Sequence, residues 1–122
     1  MGIEQSKEKL LRALQASKHG YLEISHGTLR TYDLFHSFRN ELKKWAPNGY
    51  ITKKQLGFFF MPKRARYDDR HAFWDNNDAL TLVLQMTDAL ENFAPDGYYF
   101  GVPRGDGSAF GWWPVDLGEP EL

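Results

Sequence analysis

The sequence contains no cysteine, which excludes disulfides, thiolate catalysis and cysteine-ligated zinc or iron–sulfur centres. An excess of charge is also missing. Fifteen Lys and Arg stand against 16 Asp and Glu, for a net charge of −1, so no global field steers the chain toward nucleic acid or anionic lipid. Any such binding must come from a local patch. No run approaches the ~20 apolar residues that cross a bilayer, and the opening "MGIEQSKEKLLRALQASKHG" is too charged for a secretory signal. A soluble, cytoplasmic protein without a membrane partner is the expectation. The 4 histidines, at 19, 26, 36 and 71, lack any short metal-ligand spacing, so neither a metal site nor a cofactor is expected.

What is present is apolar and aromatic: 42% and 16% of 122 residues, enough to order one domain spanning 1–122 around one core. Ile3, Leu10, Leu11 and Leu14 recur at helical spacing between residues 3 and 17, with His19 and Gly20 placed to close the helix. "YLEISHGTLRTY" alternates as a strand, a turn at His26 and Gly27, and a short second strand. From Asp33 to Trp45, Leu34, Phe35, Phe38, Leu42 and Trp45 share one helical face, stopped by "APNG". From Asp78 to Phe93, Leu80, Val83, Leu84, Met86, Leu90 and Phe93 form a wider apolar surface, stopped by "APDG".

The two stops belong to a longer match. "LFHSFRNELKKWAPNGYI" and "LVLQMTDALENFAPDGYY" superpose without a gap, and "LGFFFMP" at 56–62 then answers "FGWWP" at 110–114. This predicts a duplicated α-β-β unit over 34–62 and 82–114. The fold class is therefore α+β, with three helices and a mainly antiparallel sheet.

The stretch "APDGYYFGVPRGDGSAFGWWPVDL" reads in two ways. As a hairpin, Tyr98, Phe100 and Val102 face one side and Tyr99, Gly101 and Pro103 the other, while Phe110 and Trp112 oppose Gly111 and Trp113. "RGDGS" then makes the turn, with Asp106 bonded back to the local backbone. As a site, the same hairpin presents Asp106 and Trp113 to a partner. "APDGYYFG", "GDG" and "FGWWP" resemble a C-terminal motif of uncharacterised proteins carried by bacteriophages and plasmids, the resemblance covering residues 78–114, and in that motif an acid stands where this chain has Ala109. The resemblance implies a mobile-element origin and carries no activity.

Three functional readings remain open. The first is a small non-enzymatic binding protein acting on a host macromolecule, inhibition of host defence being one form. A protein partner would then meet Asp106, Trp113 and the aromatics Tyr67, Phe73 and Trp74, expected to be exposed on a mobile loop at 64–77. The second is a nucleic-acid-binding accessory protein. Lys53, Lys54, Lys63, Arg64 and Arg66 include no acid among them, and Phe58, Phe59, Phe60 and Tyr67 are interleaved, a pattern suited to phosphates and unpaired bases. The third is a small hydrolase or phosphoesterase. "HGT" at 26–28 matches one half of the paired signature of 2H phosphoesterases, and catalysis would need His26, Asp106 and Arg104 to converge.

Overall fold

The computed structural model describes residues 2–47 and 61–115. The helical apolar spacings become α1 (Ile3–Ala16), α2 (Thr31–Trp45) and α3 (Asn77–Glu91). Leu10 and Leu14 of α1 are fully buried. This helix ends earlier than expected, because Ser17 returns both its amide and its hydroxyl to the Leu14 carbonyl, at 3.2 and 2.5 Å. His19 and Gly20 lie beyond the end.

β1 (Leu22–Ser25) forms as expected, but no second strand follows it. Thr28 Oγ1 donates to Asp33 Oδ2 at 2.7 Å and accepts the Arg30 amide at 3.2 Å. Such side-chain bonds compete with a ladder and favour a helix start. The chain accordingly enters α2 at Thr31. There Leu34, Phe35, Phe38 and Leu42 are buried, and Pro47 follows shortly after the last turn.

α3 begins on Asn76, whose Oδ1 accepts the Ala79 amide at 3.1 Å. Its buried face is Ala79, Leu82, Val83, Met86 and Leu90. Leu80 and Leu84, expected on that face, are exposed. On a helix this apolar the period does not decide which side turns inward.

β2 (Tyr98–Gly101) and β3 (Phe110–Pro114) make the expected hairpin, Tyr99 facing Trp113 and Gly101 facing Gly111. β3 is central in an antiparallel sheet of order β1-β3-β2. Its pairing with β1 is tight: a Cβ at Gly111 would lie 2.3 Å from the Leu22 carbonyl oxygen and 2.8 Å from Glu23 Cα. Only glycine fits there.

The alternation in the hairpin holds. Phe100 and Trp112 join the main core under α2 and α3, with Phe38 edge-on to Phe100 at 5.2 Å. Tyr99, Ala109 and Trp113 form a second cluster with Tyr21 on the opposite face of the sheet. Two acids tie helices to this sheet. The buried Glu41 of α2 accepts the indole N–H of Trp112 at 3.0 Å and of Trp45 at 2.5 Å. Glu91, at the end of α3, accepts the Phe100 amide at 2.6 Å. The α-β-β unit predicted at 82–114 is present as α3, β2 and β3, whereas the strands of its expected copy fall mainly on 48–60, outside the described residues.

Candidate functional site

The segment expected to be a mobile loop with exposed aromatics is instead two 3-10 turns, Lys63–Tyr67 and Ala72–Asp75, fastened to α2. Phe73 and Trp74 are 5% and 6% exposed, so neither is an open anchor. The Trp74 ring packs against Tyr32 and Phe35, and its Nε1 donates to the carbonyls of Ala65 at 2.8 Å and Asp68 at 3.1 Å. Thr31 Oγ1 reaches the Trp74 carbonyl at 2.6 Å, and His36 Nε2 bonds the Arg66 carbonyl at 2.8 Å. A large ring with one polar atom gains most when the ring is buried and the N–H satisfied, and here both conditions are met.

This anchoring holds the first turn rigidly and leaves its outer side chains in solvent. Lys63 and Arg64 are exposed, and Tyr67 is 81% exposed. Arg66 is half-buried, and its charge acts on the half-buried Arg39 of α2. The Arg39 guanidinium is held below the ordinary arginine range, first by burial and then by the charge of Arg66, with Tyr67 acting the other way. Its only sequence signal is an arginine on α2 away from the apolar face; nothing in the chain announces that residue 66 folds back onto it. Lys53 and Lys54, the other members of the expected basic stretch, lie outside the described residues.

The hairpin candidates are divided. Trp113 is 8% exposed, its Nε1 donating to Gly101 O at 3.0 Å and Ala109 O at 3.1 Å, with Tyr21 stacked on the ring at 4.6 Å. Little of that ring is open to a partner. Asp106 does what the turn reading requires: Oδ1 accepts the Ser108 amide at 3.1 Å and its hydroxyl at 2.9 Å. Gly105, with φ +89°, supplies the left-handed residue of the turn.

His26 and Asp106 do meet, Nε2 to Oδ2 at 3.2 Å, while Nδ1 lies 3.3 Å from Glu23 Oε1. The Ser108 bonds, and then the charge of His26, hold the Asp106 carboxyl below the usual carboxylate range. The order of the groups is wrong for a nucleophile relay. Asp106 stands between the Ser108 hydroxyl and the imidazole, where the imidazole would have to lie between hydroxyl and carboxylate. Thr28, the third residue of "HGT", is bonded to Asp33. Among the described residues no group of three His, Asp or Glu is placed to hold a metal ion, and no helix is long and apolar enough to cross a membrane.

Comparison with protein-family models, with curated proteins and with solved structures gives no match for this chain.

Proposed function

We propose that this is a small non-enzymatic binding protein whose contact surface is the Lys63–Tyr67 turn together with Arg39, and that the surface takes single-stranded nucleic acid. The observation that carries this reading is the Tyr67 ring, 81% exposed on a turn that also exposes Lys63 and Arg64. A ring standing among cations can stack on an unpaired base while the cations meet the flanking phosphates. Protein hot spots cluster several large anchors at one centre, and of the three rings expected on this segment Tyr67 is the exposed one. Phe73, Trp74 and Trp113, which would have supplied them, are buried.

Fluorescence anisotropy with labelled DNA and RNA strands tests the reading. Binding should weaken steeply as salt rises, Tyr67→Ala should cost about 1–3 kcal/mol through the lost stack, and Lys63→Glu with Arg64→Glu should abolish binding. Failure to bind any single strand at low salt would remove nucleic acid as the partner.

A further inference from the structure

Charge is unevenly spread along this chain. Its 15 Lys and Arg include none between Arg70 and Arg104, a stretch that contains Asp75, Asp78, Asp88, Glu91 and Asp96 and the whole of α3. That helix also differs from the other two in what it turns to solvent. α1 exposes Glu4, Glu8, Lys9 and Arg12, and α2 exposes Asn40, Lys43 and Lys44, whereas α3 exposes Leu80 and Leu84, 49% and 56% open to solvent. Residues four apart are neighbours on a helix, so the two leucines make one patch. Thr81 and Gln85 extend it without charge, and Asp88 stands one turn beyond Leu84.

Two features of this face lack compensation within the fold. The leucine patch stays in water, where covering it would be favourable. Asp88 lies in the last turn of α3, where the helix dipole favours cations, and that turn carries no Lys or Arg. Among the described residues Asp75, Asp78, Asp88 and Asp96 form no ion pair, while Asp33 and Asp69 both pair with Arg30. An apolar ridge ending in an unpaired acid is complementary to a segment that is apolar and basic.

We infer that the outer face of α3 is a docking surface for a basic amphipathic helix of a protein partner, which lays apolar side chains over Leu80 and Leu84 and brings Lys or Arg to Asp88. Leu80 and Leu84 form an i, i+4 ridge, which seats in the groove of another helix. Charge selects this occupant over the alternatives. Nucleic acid would meet carboxylates and no cation. A second copy seated on the same face would oppose its own acids to these, and like charges brought together across an interface are costly. A basic helix gains on both counts, because its apolar side chains cover the leucines and its cations complement the last turn of α3. The surface shares no residue with the Lys63–Tyr67 turn, and its occupancy does not require strand binding.

The probe is a labelled synthetic helical peptide with Leu at i, i+4 spacing on one face and Lys on the rest, compared with the same peptide carrying Glu for Lys. Fluorescence anisotropy should show saturable binding of the Lys peptide and none of the Glu peptide. Leu80→Gln with Leu84→Gln should weaken the Lys peptide at least about tenfold. Both positions are exposed and Gln is a good helix former, so circular dichroism and melting should show the double variant folded. Asp88→Asn leaves the leucines in place and should weaken binding less, with a shallower salt dependence; no change there would overturn the inference. Binding unchanged in the double variant, or equal for the two peptides, would overturn it too, as would no binding to either. Self-association that the double variant loses, measured by sedimentation, would show that the face pairs copies of this chain and would overturn the basic partner.

Discussion

The β2–β3 hairpin and the two 3-10 turns at 63–75 are both rich in rings, yet they use them differently. In the hairpin Tyr99, Phe100, Trp112 and Trp113 are all buried, and the indole N–H of each tryptophan has an acceptor. In the 3-10 segment Phe73 and Trp74 are buried in the same manner, but Tyr67 stands in solvent, and the neighbouring Arg66 Nε is buried without a hydrogen-bond partner. The density of aromatics in a stretch of sequence is therefore a poor marker of a site. What distinguishes the second region is what its residues leave unsatisfied, since buried groups with good partners report folding, whereas costs without local compensation need another explanation.

If the comparison is right, the hairpin should respond to mutation mainly through stability. Trp112→Ala should have the largest effect. Its ring is fully buried against Phe93 and Phe100, so truncation should cost about 3–5 kcal/mol, and Glu41 would also lose an indole donor. Urea unfolding measures it; a loss below about 1 kcal/mol would mean that the hairpin is not mainly structural. Gly111→Ala should come next. The new methyl would meet the Leu22 backbone at 2.3 Å, so β1 must shift off β3 at a cost of about 1–3 kcal/mol. Amide exchange should accelerate in Leu22–Ser25 before it does in β2. A variant as stable as the parent, with β1 still protected, would contradict the close approach.

The hairpin was legible because two simple periods run through it. Alternation of Tyr98 and Phe100 against Tyr99 and Gly101 sorted its faces, and "RGDGS" has the chemistry of a turn whatever surrounds it. The helices were legible for the same reason. Legibility failed where tertiary contacts decide. The residues after Gly27 read as a short second strand, yet the Thr28 hydroxyl holds Asp33 and the Arg30 amide at the start of a helix. Phe73 and Trp74 lie among charged and polar residues, which reads as a loop, yet a pocket beside Tyr32 and Phe35 takes the Trp74 ring. The influence of Arg66 on Arg39 could not be read from sequence, because it depends on how the 3-10 turn lies along α2.

The smallest expected effect is at Asp106, which with Trp113 was the hairpin's candidate for a partner contact. Its carboxyl is held below the ordinary value of 3.8, chiefly by the Ser108 amide and hydroxyl and secondarily by His26. A carboxylate whose folded pKa is depressed contributes stability above its unfolded pKa and loses it as pH falls through the folded value. Asp106→Asn should therefore lower stability slightly at neutral pH, because a neutral amide oxygen accepts the Ser108 amide and hydroxyl less strongly than the carboxylate does. The difference from wild type should fade as pH is lowered below about 4 and the wild-type carboxylate takes up its proton. Because the group is exposed, the effect should be small and weakened by salt. Thermal melts of both proteins across that range measure it. If Asp106→Asn instead left stability unchanged at every pH and abolished strand binding, the turn would belong with Tyr67 and Arg66 as a second contact, and the hairpin could no longer be described as structural throughout.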